Sequence, residues 1–224
     1  MREFLTPATE DCLKAIHALS RDGRANTQAI ADSLSITAAS VTGMLKRLNE
    51  LRLIEYQPYR GAILTEDGER VALEIIRHHR LIETYLHQAL GYGLEEVHAE
   101  ADRLEHVISE TFEARINALL GHPTHDPHGD PIPSFEGVVP GAATRPLVDL
   151  PPGAEARLGR VSGGDADLLR YLASVGLVPG ATVSVLDVAK QGGTVTVRVD
   201  GRVHTLGLEV ARRLWVGGEG TLPG

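Results

Sequence analysis

The spacing of apolar residues changes near residue 153, and that change limits the fold more than any other feature of the chain. Before it, Leu13, Ile16 and Leu19, then Ile30 and Leu34, then Val41, Leu45 and Leu48 recur at intervals that place them on one side of a helix. After it, EARLGRVSG, TVSVLDVA, TVTVRVDG and RVHTLGL alternate apolar and polar residues, the period of a half-buried strand. Helical stripes and pleated faces pack in different layers, so the chain divides into a helical part and a small β part. Between them GVVPGAATRPLVDLPPG, rich in Gly and Pro, reads as a linker over 137–153.

The helical part divides again. A first helix is expected from about 8 to 20. ANTQAIADSLSITAASVTGMLKRLNELRLIEY splits at Ser35-Ile36 into two short amphipathic helices, the second capped by the Thr37 hydroxyl. IEYQPYRGAILTEDG then reads as two short strands around Pro58-Tyr59-Arg60-Gly61. This order predicts a winged helix-turn-helix over 1–65. TEDGERVALEIIRHHRLIETYLHQAL predicts a long helix capped by Thr65 and ended by Gly91-Tyr92-Gly93, with a second long helix from about 94 to 120. Their apolar stripes are broader than one pair needs, which implies a further helical partner or a second subunit for a domain over 66–136. HPTHDPHGDPIPSFEG is an irregular loop. Residues 154–217 predict a small β-barrel interrupted by one helix, DADLLRYLASVG, and 218–224 a disordered tail. The expected fold is therefore mainly α with α+β parts.

Composition narrows the function. With 42% hydrophobic and 23% charged residues the chain reads as an ordinary soluble protein. No apolar run is long enough to span a bilayer, and MREFLTPATEDCLK lacks the apolar core of a signal peptide. A single cysteine, Cys12, excludes an internal disulfide framework and fits the cytoplasm. The net charge of -8 weighs against nucleic-acid binding unless a local basic surface or a bound cation offsets it.

HAEADRLEHV, residues 98–107, gathers two histidines and three acids. At about 100° per residue, Val97, Ala101, Leu104 and Ile108 form a core stripe, while His98, Asp102 and Glu105 share the adjoining arc with His106 at its edge. In the preceding RHHRLIE, His79 and Glu83 stand on one face. If the two helices align as antiparallel neighbours, His79, Glu83 and His98 converge, while Asp102, Glu105 and His106 look for a partner elsewhere. Asp11 on the first helix is a further acid. A hydrated, salt-bridged face is one reading. The other is a metal site, because crowded carboxylates raise one another's pKa and a divalent cation removes that cost.

TEDCLKAIHAL, SVTGMLKRLNELRLIEYQPYRGAILTEDGE, RHHRLIE, EVHAEADRLEHVIS and GHPTHDPHGDPIP, in this order, resemble the diphtheria toxin repressor family of metal-dependent transcriptional repressors. The resemblance covers about residues 8–135, and the C-terminal barrel resembles the family's SH3-like third domain. It implies an activating metal site of Asp11, Asp102, Glu105 and His106, and an ancillary site of His79, Glu83 and His98, two per subunit. It also implies a homodimer formed by the middle helices, whose recognition helices enter the major grooves of a palindromic double-stranded DNA operator. Thr37, Ala38, Ala39, Ser40, Thr42 and Gly43 would then face bases and phosphates, and Lys46, Arg47 and Arg60 would contact phosphate. Without metal, repulsion of Asp11 by Asp102 and Glu105 would leave the first helix loose.

The chain departs from the pattern in several places. Iron-sensing members place Met and Cys where this chain has Asp11 and Asp102, and manganese-sensing members place acids there. Oxygen donors are harder, which favours Mn(II), with Fe(II) second. Cys12 would be a ligand if the register slipped by one residue, and otherwise packs as a small apolar group. Where some members complete the ancillary site from the third domain, this chain has Arg160 and Gly163, neither of which can ligate. Either water fills those positions or another residue does, with His125, Asp126 and His128 as the candidates. An anion held at Arg80 in some members would here meet Asp126 and Asp130. Two other classes remain: a metallohydrolase, and an adaptor whose barrel, with Tyr171 and Trp215, binds Pro-rich peptide.

Overall fold

The computed structural model describes residues 5–20, 23–143, 145–189 and 191–217. The chain forms two compact units, one of Met1–His78, Glu105–Ile108 and Pro133–Val138, the other of His79–Leu104, Ser109–Ile132 and Val139–Gly224.

In the first unit, helix α1 (Pro7–Leu19) starts at a reciprocal capping box in which Thr6 and Thr9 satisfy each other's backbone N–H groups. Helix α2 (Thr27–Leu34) is capped by Asn26 and ends at Ser35, which takes a left-handed conformation with φ 54°. Helix α3 (Ala38–Glu50) starts where expected, with the Thr37 hydroxyl accepting from the Ser40 N–H at 3.2 Å. Strands β1 (Ile54–Gln57) and β2 (Gly61–Leu64) pair antiparallel, and Ala62 also exchanges two 2.8 Å backbone bonds with Ala25. Gly61 allows this approach: a Cβ there would lie 2.3 Å from the Ala25 carbonyl oxygen. Leu13, Ile16, Ile30, Val41, Leu45, Leu48 and Leu53 fill the core. Val71, Ala72 and Ile75 complete it, so the core draws on residues beyond Thr65. They lie on helix α4 (Glu66–Leu90), whose Gly68 N–H is capped by the Thr65 hydroxyl.

The second unit corrects one expectation. The helix expected over about 94–120 is two helices, α5 (Val97–Leu104) and α6 (Glu110–Leu119). The apolar period continues through Ile108, but the Ser109 side chain accepts the Phe112 N–H and starts a new helix. Glu105 and His106 therefore stand on a turn, off the helix that carries His98 and Asp102.

The β part has six antiparallel strands: β3 (Arg145–Pro146), β4 (Glu155–Val161), β5 (Thr182–Ala189), β6 (Thr194–Val199), β7 (Arg202–Gly207) and β8 (Leu214–Val216), in the order β3-β8-β4-β5-β6-β7. Register shifts in β4 and β5 bend the sheet around Leu158, Val183, Val185, Val195 and Val197. Helix α7 (Ala166–Ser174) adds Leu169 and Leu172, and helix α8 (Leu208–Ala211) adds Ala211. The stretch expected as linker contributes too: Leu147 and Leu150 are buried in this core and β3 precedes them, so the sheet recruits chain before Ala154. The tail expected over 218–224 lies outside the described residues. No described helix is long and apolar enough to cross a membrane.

Candidate metal centre

In the first unit, Asp11, Glu105 and His106 come together. His106 Nε2 lies 3.4 Å from Asp11 Oδ1 and 3.4 Å from Glu105 Oε1. The other ring nitrogen is engaged: His106 Nδ1–H donates to Glu10 Oε2 at 2.6 Å, both side chains nearly buried. That bond fixes the tautomer, so Nε2 faces the two carboxylates as an acceptor. Three acceptors aimed at one point repel one another unless a positive charge stands among them. The donor set fits a divalent cation. Lys14, one turn after Glu10, places its ammonium 2.6 Å from Glu105 Oε1. In the sequence Glu10 and Lys14 are indistinguishable from solvated helix charges. These two bonds join α1 to the Glu105–His106 turn.

Cys12 points into the hydrophobic core and has no exposed surface. Burial, with the Asp11 charge beside it, pushes its thiol up to about 12. It is a packing residue, and the register does not slip.

The second set lies in the second unit, where His79 and Glu83 of α4 meet His98 of α5. His79 Nε2, Glu83 Oε1 and His98 Nδ1 are mutually 3.0, 3.0 and 3.1 Å apart. Three donors this close together can share one divalent ion. Asp102 is found here, its Oδ1 3.3 Å from His79 Nδ1 and its Oδ2 3.6 Å from His98 Nε2, behind both imidazoles. It orients them as Glu10 orients His106.

Asp126 and His128 are also beside Glu83, in a second buried group that the sequence left only as candidates. His128 Nε2–H donates to the Leu94 carbonyl at 2.9 Å, which turns Nδ1 toward Glu83 Oε2 at 3.9 Å. Burial alone would raise the Glu83 carboxyl, but the nearby His128 and hydrogen bonds with His79 and His98 hold it well below the usual range. Burial alone would lower His128, but the Glu83 carboxylate beside it pushes it up to about 9. Burial, then the charges of Glu83 and Asp130, pushes Asp126 up to about 7. His125 is not part of this group, since its Nε2 bonds the Gly141 carbonyl.

Arg80 faces the chain's own acids: its Nε lies 3.7 Å from Asp126 Oδ2, and it donates to the Pro131 carbonyl. Arg160 cannot ligate; it donates to Asp130 Oδ1 at 3.1 Å and lies 3.9 Å over the Trp215 ring. That contact covers a face of Trp215 which a Pro-rich peptide would need.

On α3, Ala39, Ser40, Gly43, Lys46 and Arg47 are exposed, as is the capping Thr37, while Ala38 and Thr42 are half-buried. The Thr42 hydroxyl donates to the Ala38 carbonyl at 2.8 Å and supports the helix. Arg60 is exposed at the hairpin tip beside Tyr59, whose ring is fully exposed and whose φ is 65°.

Three family descriptions match consecutive segments of the chain. "Iron dependent repressor, N-terminal DNA binding domain" matches residues 4–62, "Iron dependent repressor, metal binding and dimerisation domain" residues 65–134, and "FeoA domain" residues 145–217. The chain is 36% identical over 226 residues to the iron-dependent repressor IdeR of Mycobacterium tuberculosis, covering 95% of this chain and 97% of that protein. It is 28% identical to the diphtheria toxin repressor of Corynebacterium efficiens, covering 92% and 96%. Among solved structures it is similar to a manganese-dependent transcriptional repressor in complex with manganese, with a TM-score of 0.87, 36% identity and coverage of 93% and 99%.

Proposed function

The chain belongs to the diphtheria toxin repressor family of metal-dependent transcriptional repressors, and from that premise we propose that it is a manganese-activated repressor that binds a palindromic operator as a homodimer. As a member it is a DNA-binding protein and not an enzyme, so the metallohydrolase reading is dropped. We place it in the cytoplasm, with the DNA. Residues 1–65 read DNA, 66–136 bind metal and form the dimer, and the β domain follows from about residue 145. Leu90, Phe112 and Leu119, exposed and apolar on the middle helices, support a dimer surface there.

The activating donors are Asp11, Glu105 and His106, and the ancillary donors His79, Glu83 and His98. The resemblance adds Asp102 to the first set, and two of its contacts are with His79 and His98. Asp126 and His128 stand at the second Glu83 oxygen, where some relatives use third-domain ligands.

The observation that carries manganese is the donor chemistry. Both sets hold only carboxylate oxygen and imidazole nitrogen, and the single thiol is buried in the core. The carboxylate oxygens are hard donors, which suit Mn(II). Fe(II) is the second reading, favoured by the likeness to iron-dependent IdeR. A bound divalent ion would supply the positive charge that keeps these acceptors together. The residues do the rest: Glu10 sets the His106 ring, and Asp11 ties α1, which packs on α2 and α3, to the Glu105–His106 turn. Fixing that turn preorganises the DNA-reading helix.

The test is operator binding by the full chain, titrated with Mn(II), Fe(II) and Zn(II) on promoter DNA. A coupling of about 1–3 kcal/mol predicts tightening by about 5- to 150-fold, greatest with Mn(II) and lost in Asp11→Ala. Equal DNA affinity with and without metal refutes the function, and a larger effect of Fe(II) replaces the metal.

A further inference from the structure

Lys14 occupies an unusual place for a cation. Its ammonium lies 2.6 Å from Glu105 Oε1, the oxygen that also faces His106 Nε2 at 3.4 Å. Glu105 is fully buried, while the Lys14 side chain is 21% exposed. A buried carboxylate needs a positive partner, and in this structure the lysine is one.

We propose that Lys14 is a built-in competitor for the activating metal: it neutralises Glu105 in the metal-free protein and thereby sets the metal concentration at which the site fills. This rests on the assignment of Asp11, Glu105 and His106 as donors.

The physical argument has two steps. A divalent ion held by Glu105 Oε1 and the ammonium on that same oxygen repel each other, whether the lysine stays or leaves. The lysine can leave, because a flexible four-carbon stem with its head near solvent can carry the charge outward, whereas Glu105 has no comparable route. Metal binding therefore exchanges one positive partner for another, and only the difference remains as affinity. An ordinary surface ion pair would not touch a donor atom and would leave metal affinity unchanged.

Lys14→Met keeps the stem and removes the charge. It is best compared with its parent in a His98→Ala background, which disables the second set at a half-exposed position. Mn(II) affinity is measured by calorimetry on the full chain, and thermal melting is followed with chelator and with Mn(II). The expected result is a lower metal-free melting temperature, a larger rise on adding Mn(II), and tighter Mn(II) binding by about 5- to 150-fold, the usual range for two coupled events. Lys14→Gln should behave alike and serves if Lys14→Met does not fold. Lys14→Arg should stay near the parent. Unchanged or weaker Mn(II) binding in Lys14→Met and Lys14→Gln overturns the proposal while leaving the donors in place. If Asp11→Ala binds Mn(II) as the parent does, the donor assignment fails and the proposal falls with it.

Discussion

Truncating Glu10 should weaken metal binding although Glu10 is not itself a donor. Its carboxylate accepts the His106 Nδ1–H at 2.6 Å, with side-chain exposures of 9% for His106 and 6% for Glu10. In Glu10→Ala the ring keeps a buried N–H with no acceptor, which costs about 1–3 kcal/mol, and loses the contact that turns Nε2 toward Asp11 and Glu105. Outer-shell partners of metal-bound histidines typically contribute 10- to 100-fold in affinity, about 1.4–2.7 kcal/mol, so the two routes agree. Glu10→Gln can still accept the N–H but without charge, and charge-assisted bonds are about twice as strong as neutral ones, so about 3- to 10-fold is expected there. Calorimetric Mn(II) titration of wild type, Gln and Ala variants should give that graded order, with metal-free melting curves as the control for folding. Two results refute the reasoning. If Glu10→Gln abolishes binding as fully as Asp11→Ala, Glu10 is a donor, and if Glu10→Ala binds as wild type does, the ring needs no second partner.

Three other expectations follow from the structure. In chelator, stability should fall as pH rises: the raised Asp126 carboxyl contributes most below 3.8 and loses its contribution toward about 7, and the raised His128 contributes fully below 6.5 and loses its share through about 9. Urea unfolding across pH 5–9 reads this, and a flat profile contradicts it. Gly129→Ala should cost more than about 2 kcal/mol by the same measurement, because φ is 86° and a Cβ would lie 1.9 Å from the Gly159 carbonyl oxygen; Gly153→Ala, at φ 85° in open space, should cost only about 1 kcal/mol. Lys46→Ala and Arg60→Ala should each lower operator affinity at all sequences and reduce the salt slope by about one, and an unchanged slope removes that residue from the interface.

The sequence was most legible where one local rule governs. Thr37, Thr65 and the Pro58–Gly61 turn each carry their own chemistry, and the elements begin and turn there. His79, Glu83 and His98 were legible as a group because helix spacing and a short turn bring them together. The break after Leu104 was not, because the apolar period runs past it and only the Ser109 cap marks the new helix. Glu10 and Lys14 looked like solvated charges because their partners are remote in sequence. Asp126 and His128 were visible as loop residues, but an irregular loop has no period from which to place them on Glu83.

The interleaving of the two units bears on how this protein can be cut and recombined. The first unit is not a contiguous prefix: it needs Glu105–Ile108 and Pro133–Val138 returned to it after long excursions elsewhere. A fragment ending near residue 65 would discard Val71, Ala72 and Ile75 from its core along with His106. A chimera that transplants the DNA reader alone would therefore inherit a hydrophobic wound and no means of sensing metal. Exchange of operator specificity between relatives should succeed by replacing surface residues of α3 in place, and fail by swapping the amino-terminal segment as a module.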